Sequence, residues 1–321
     1  MTAPRGNRAA LIGLALILVG IPSLIIGYQY GYRPTHADHR TVDIAARVPE
    51  NGGFSPNAVR AEVGETITLR FASDDVTHGI AIGPGLGIDL GQIDPGHVGE
   101  VTLTLNSPGT YTYYCNTWCS LDHWRMRGVL EVVDPVDRDQ VDTTSDPIID
   151  ALSAASIDID AKPLLTKGAL PDRSRGEQSL YSVEVPPELR DPGWRLSRSP
   201  FEGLILLQAN NPSASESVLT DVIAYLWSEA APSLATKELF AKNCAACHGE
   251  GGAGDGPAAT TTIERPVAFV EAAWLRRGDV WYAKIRRGGM GTDMPNFGTI
   301  FTVEETRSLV DYLWYLSFSR P

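Results

Sequence analysis

The stretch that decides the fold is Thr110–Val133, "TYTYYCNTWCSLDHWRMRGVLEVV". Its two ends, rich in aromatic and β-branched residues, read as strands. Between them lies a loop carrying Cys115, Cys119, His123 and Met126. Soft thiolate and thioether donors combined with imidazole select copper over hard cations. A mononuclear blue copper site needs a single cysteine, whereas two in one loop can bridge two ions. Two alternatives stay open on these residues alone: a Cys115–Cys119 disulfide beside an unrelated His and Met, or a zinc site.

Outward from this loop the text continues as short strands. "AEVGETITLRFAS" (61–73), "THGIAIG" (77–83) and "GEVTLTLNSPG" (99–109) alternate or run apolar, with turn signals at Pro84-Gly85, Pro95-Gly96 and Pro108-Gly109. Regular short strands of this kind suggest a β-sandwich, with the cysteine loop at one end of it. His78 stands at the start of one of these strands.

The two remaining cysteines lie in "CAACH", Cys244–His248. Thiols at i and i+3 can each add to one vinyl group of a haem, which puts the adjacent His248 under the iron as proximal ligand. C-x-x-C alone would fit a redox disulfide or half a zinc site equally well; the following histidine and the lack of any other nearby cysteine favour haem. The surrounding text is helical. Ser233 can cap "ATKELFAKNC", Thr302 and Glu305 form a capping box, and Leu309, Leu313 and Leu316 make a buried stripe. The Gly-rich run 249–259 lacks the Lys-Ser/Thr ending and the preceding strand of a phosphate loop.

Residues 232–321 resemble a class I-like cytochrome c: capped helix, C-x-x-C-H, Gly-rich loop, methionine loop and closing helix. The resemblance implies an all-α domain with one covalent haem c held by Cys244 and Cys247. It implies Met294, in "GTDMPNFG", as second axial ligand, with Met290 the competitor. Residues 31–136 resemble the CuA domain of cytochrome oxidase subunit II, an all-β cupredoxin sandwich with a binuclear copper centre. Carried over residue by residue, Cys115 and Cys119 bridge the two coppers, and His78 and His123 each bind one. Met126 and the backbone carbonyl of Thr117 become weak outer ligands. Where that family has a glutamate that helps bind a divalent ion, this chain has Thr117. The family's aromatic-rich electron-entry strand is also missing, only Phe54 lying between residues 36 and 70.

The resemblance further implies a place in a membrane cytochrome-c oxidase, an oxidoreductase and translocase. A cytochrome c or cupredoxin donor would feed haem c, then CuA, then a large catalytic haem-copper subunit that reduces oxygen. A CuA-containing nitric oxide reductase and a stand-alone membrane-tethered carrier are the alternatives. No residues of the chain itself read as catalytic: there is no Ser/His/Asp set and no free nucleophile. His36 and His39 read as solvated linker and His97 as a surface turn.

At 321 residues the chain is longer than one usual domain, and 43% hydrophobic with 21% charged residues describes an ordinary folded protein. The net charge of -12 comes from the middle of the chain, the last ninety residues being balanced. An acidic surface of this kind argues against nucleic acid as a partner. Leu11–Gly27 is uncharged and mostly apolar, preceded by Arg5 and Arg8 and followed by Tyr28, Tyr30 and Tyr32. This reads as one transmembrane helix with an aromatic flank, a cleaved signal peptide being the alternative. Positive-inside orientation then places both redox domains on the periplasmic or extracellular face of the cytoplasmic membrane. The expected map is a cytoplasmic tail (1–10), an anchor (11–30), a CuA domain (31–136), a linker and possible degenerate cytochrome c-like segment (137–231) and a cytochrome c domain (232–321). The acidic, turn-rich start of this stretch is expected to act as a flexible tether, while the spacing of Leu219, Ile223 and Leu226 predicts a helix over 215–230.

Overall fold

The structure is a computed structural model and describes residues 13–14, 16–27, 40–136, 146–165 and 171–319. Its first part is a π-helical turn, Leu16–Gly20, running into α1 (Ile21–Gly27). Leu18, Leu24 and Ile26 are all exposed there. No helix among the described residues is long and apolar enough to cross a membrane. The expected anchor falls partly outside the described residues.

Among the described residues nine strands follow: β1 (Arg40–Ala46), β2 (Phe54–Ser55), β3 (Ala58–Glu62), β4 (Thr66–Ser73), β5 (His78–Gly83), β6 (Ile88–Ile93), β7 (Val98–Thr104), β8 (Gly109–Cys115) and β9 (Arg127–Val133). They form a four-stranded sheet in the order β2-β1-β4-β7 and a five-stranded sheet in the order β3-β9-β8-β5-β6. Alternation builds the interface between the sheets. Ile67, Leu69 and Phe71 of β4 point inward with no exposure, while Arg70 between them pairs outward with Asp43 and Glu100. Tyr113 closes the core from the other sheet, its ring 5.2 Å from Phe54 and 5.6 Å from Phe71. Its hydroxyl, buried with the ring, donates to the Pro56 carbonyl at 2.8 Å.

The run 61–73, expected as one strand, is two. Gly64 takes a left-handed φ of +85°, and the chain turns there from β3 in one sheet to β4 in the other. β1, β2 and β6 were not expected. β6 hid because Gly91 interrupts it and most of its side chains are at least partly exposed, leaving little apolar alternation to see.

Beyond residue 146 the described chain is helical. α2 (Pro147–Ala154), α3 (Arg173–Ser179), α4 (Pro192–Leu196), α5 (Pro200–Asn210) and α6 (Glu216–Ser228) precede the haem-motif region. That region holds α7 (Leu234–Asn243), α8 (Ala245–His248), α9 (Phe269–Ala272), α10 (Gly278–Arg287) and α11 (Val303–Phe318). Both expected caps are present: Ser233 accepts from Thr236 N, and Thr302 with Glu305 closes a capping box.

Of the stretch 137–231 the described residues are folded: the helix expected over 215–230 is α6, and the acidic start at 137–145, expected as a flexible tether, lies outside the described residues. α6 packs on α3, α5 and α11. Leu219, Ile223 and Leu226 share one apolar core with Leu309, Leu313 and Trp314. α2 packs on α10, and Asp146 at its N-cap also accepts from Tyr282 Oη and Arg286 Nε. Only residues 137–145 and 166–170 of the stretch lie outside the described residues.

Candidate metal centres

β5 begins at His78 and β8 ends at Cys115, and the two strands are hydrogen-bonded neighbours with Ile80 opposite Cys115. The sheet therefore delivers His78 and the first cysteine of the loop, 37 residues apart in sequence, to one point. The loop then crosses the end of the sheet and returns through a 3-10 turn, His123–Arg125. Cys115 N donates to the Met126 carbonyl at 3.1 Å and closes it. Gly79 leaves room for the loop, since a Cβ there would displace the Asn116 and Thr117 side chains.

All six expected donors converge. Cys115 Sγ is 3.9 Å from Cys119 Sγ, 3.8 Å from His78 Nδ1 and 3.2 Å from the Thr117 carbonyl oxygen. Cys119 Sγ is 3.5 Å from His123 Nδ1 and 3.9 Å from Met126 Sδ. Both thiols are free, and a disulfide would need its sulfurs about 2.05 Å apart. The donors of His78, Cys115 and Cys119 lie within 4.8 Å of one another.

His78 is fully buried, and its Nε2 sits 2.8 Å from Asp75 Oδ1, which turns Nδ1 toward the sulfurs. A carboxylate behind a ligating imidazole is the usual way to fix its tautomer and orientation. Burial alone would raise the Asp75 carboxyl, but His78 and the Val48 and Val76 amides hold it down to about 2. The two thiols diverge: a hydrogen bond from Cys119 lowers Cys115, while that same pairing and burial push Cys119 up to about 11. A bound cation would draw off both protons. The soft, carboxylate-free set of donors suits copper.

The second centre is a cavity of about 810 Å³ lined by Cys244, Cys247, His248 and Met294 together with Phe269, Trp281 and Leu313. That volume is in the range of cofactor-sized pockets. α7 leads straight into Cys244, whose amide donates to the Phe240 carbonyl at 2.8 Å. His248 stacks on Phe269 with ring centroids 4.8 Å apart. Burial pushes its imidazole down to about 4, so it is neutral at physiological pH. Its Nδ1 is buried with no hydrogen-bond partner among the described residues. Burial likewise raises the Cys244 thiol to about 12, and it raises Cys247 too, which disfavours the thiolate that redox or zinc chemistry needs. A neutral histidine, two unpaired thiols and an apolar cleft fit a covalently held haem.

Met294 lies against the helical core and Met290 is 72% exposed, its sulfur 3.5 Å from Arg287 Nη1. His97 is exposed in its turn, with Nδ1 3.3 Å from the Pro95 carbonyl.

Both sides meet in one space: the cavity walls also include Cys115, Trp118, His123 and Arg127. The two domains dock through Lys242 Nζ and Asp89 Oδ2 at 2.7 Å, Thr112 and Thr299 hydroxyls at 2.8 Å, and Arg127 with the Asn296 carbonyl. Ala81 and Tyr114 of the sandwich join the helical core. Sequence reasoning missed Asp75, although its place three residues before His78 offered a hint. It also missed Arg127, whose partner is 169 residues away.

The Cytochrome c family model matches residues 234–317. Cytochrome c oxidase subunit 2 of Thermus thermophilus is 35% identical over 80 residues, which is 25% of this chain and 58% of the relative. A second such subunit, from a further strain of Thermus thermophilus, matches at 35% over 80 residues, or 46% of its length. The chain thus spans about half the length of the curated relatives it matches. Among solved structures, a heme-copper terminal oxidase dimer aligns at 21% identity over 40% of this chain and 99% of that one, with a TM-score of 0.27. A reduced auracyanin from Roseiflexus castenholzii aligns at 24% identity over 29% and 96%, with a TM-score of 0.24. The chain is related to cytochrome c oxidase subunit 2 and carries a cytochrome c domain at its C-terminal end.

Proposed function

We propose that the chain is the electron-entry subunit of a membrane haem-copper oxidase. The observation that carries this reading is the shared cavity, lined on one side by Cys115 and His123 of the converging copper-type donors and on another by the C-x-x-C-H motif. Cys115, Cys119, His78 and His123 would hold a binuclear copper centre, with Met126 and the Thr117 carbonyl at longer range. Cys244 and Cys247 would anchor one haem c, with His248 and Met294 on its iron. Each group, when bound, supplies a one-electron redox centre and no bond-making chemistry.

The chain's own residues do the rest. Asp75 orients His78, Phe269 fixes the His248 ring, and the apolar walls of Phe240, Trp281 and Leu313 keep water from the haem cleft. Electrons would enter from a cytochrome c or cupredoxin donor, pass from haem to copper, and leave to a catalytic haem-copper subunit in another chain. The apolar, exposed side chains at Leu16–Ile26 support a single membrane anchor, with both domains on the periplasmic or extracellular side.

Thr117, in place of the glutamate, favours a second reading in which the partner is a nitric oxide reductase. The test is metal content and turnover. The loaded chain should hold two coppers and one covalent haem, and zinc or a single copper would sink the binuclear assignment. With its co-purified large subunit it should reduce oxygen. Turnover with nitric oxide alone would replace the oxidase reading by the second.

A further inference from the structure

We infer that Arg127 is the residue that positions the copper loop against the haem-side methionine loop, and that electrons cross between the two centres there. The inference rests on the two-centre reading above. Arg127 directly follows Met126, whose Sδ is 3.9 Å from Cys119 Sγ. Its Nε donates to the Trp124 carbonyl at 3.0 Å, which ties the guanidinium back onto the copper loop. Its Nη1 donates to the carbonyl of Asn296, two residues beyond Met294. The guanidinium carbon sits 5.0 Å over the Phe297 ring. Bonds and contacts thus run unbroken from Cys119 through Met126, Arg127 and Asn296 to Met294.

The environment argues for a purpose beyond spacing. Arg127 forms no ion pair among the described residues, and its acceptors are both neutral carbonyls. The guanidinium is half-buried between the two loops, and placing a cation there without a countercharge is costly. An apolar side chain would fill the same gap without that cost. A fixed cation between the two centres favours the reduced form of each, and its planar fork reaches both loops at once.

A second route exists. Lys242, two residues before Cys244, pairs with Asp89, which also accepts from Asn116 Nδ2 at 3.2 Å beside Cys115. The side chains of that pair are 47% and 36% exposed, so solvent competes for each contact. The path through Arg127, with two hydrogen bonds and a ring contact holding the guanidinium, is the better coupled of the two.

The step itself moves one electron. With both groups bound, one electron would leave a haem held by Cys244, Cys247 and His248 and reach copper held by Cys115 and Cys119, and no bond or proton would change at Arg127. The test uses the full chain loaded with haem and copper. A flash-activated ruthenium photoreductant delivers one electron to the haem, and the haem and copper bands are followed separately. Arg127→Met should slow the transfer several-fold or more with both absorption spectra intact. Arg127→Lys keeps the charge and loses the fork, and should recover only part of the rate. Lys242→Met, which removes the exposed pair, should slow transfer far less than Arg127→Met does.

An unaltered rate in Arg127→Met overturns the proposal, and so does a large slowing confined to Lys242→Met. Should Arg127→Met fail to load its cofactors, Arg127→Lys and Phe297→Leu carry the comparison, and unchanged rates in both overturn it. Absence of haem or of two coppers in the unaltered chain would remove the two-centre reading itself, a separate result.

Discussion

Cys115 and Cys119 are four residues apart in sequence and 3.9 Å apart in space, so their joint role is local and readable from the sequence. The same holds for His123 and Met126, which complete the loop. Cys115→Ser should therefore abolish the two-copper spectrum and keep the haem, as read by copper analysis and visible absorption. Retention of two coppers would refute a bridging cysteine. The haem ligand gives a second contrast. Met294 is part of the helical core and Met290 is 72% exposed, so Met294→Ala should remove the sulfur-iron charge-transfer band and lower the haem potential, whereas Met290→Ala should do neither. The opposite pattern would reassign the ligand. His78 was legible by resemblance, whereas its partner Asp75 had only its place three residues before the histidine to mark it, a weak signal because such pairs are common. Arg127 could not be read at all, because its acceptor is a backbone carbonyl in another domain.

At the scale of elements, strands with clean alternation such as β4 were visible, and the helices with capping boxes were too. After residue 146 the helix over 215–230 was visible, but not that the acidic text before it folds against α10, because acidic and turn-rich text is also what a charged surface strap looks like. Asp160 shows why. It accepts from Lys284 Nζ at 2.7 Å, from Arg287 and from the Met290 amide at 3.2 Å, all contributed by α10 and the loop after it. Burial would raise the Asp160 carboxyl, but the hydrogen bonds from Lys284 and Arg287 outweigh it and hold it below its ordinary value. A carboxylate lowered on folding stabilises the protein above its unfolded value, about 4, and loses that contribution as pH falls through the folded value. Asp160→Asn should thus cost about 1.5–3 kcal/mol at neutral pH, the scale of charge-assisted hydrogen bonds in partly buried sites. The gap from the unaltered chain should stay flat from pH 8 to about 5 and shrink below about 4. Denaturant titrations across that range measure it, and a gap that widens in acid would show that Asp160 is not the group responsible.

For the whole molecule, the question is what keeps the sandwich and the helical domain together. The polar contacts across the joint are few, and the Lys242–Asp89 pair is 47% and 36% exposed, so salt should weaken it readily. Ala81 and Tyr114 add an apolar contribution, but only two residues of the sandwich enter the helical core. Such an interface resembles a transient one more than an obligate one. The covalent connection through residues 137–145 then matters, because it keeps the local concentration of each domain near the other at roughly the millimolar level. In the intact chain, electron transfer from haem to copper should be insensitive to dilution and only weakly sensitive to salt. A protease site introduced within 137–145 allows the chain to be cut while α2 and its contact to α10 stay in place. After cutting, transfer should remain fast at high protein concentration and slow progressively on dilution or with added salt. Flash photoreduction of the haem at a series of concentrations provides the measurement. A cut preparation that transfers as fast at nanomolar as at millimolar concentration would show that the interface holds without its tether, and that the docked arrangement is far more stable than its exposed ion pair suggests.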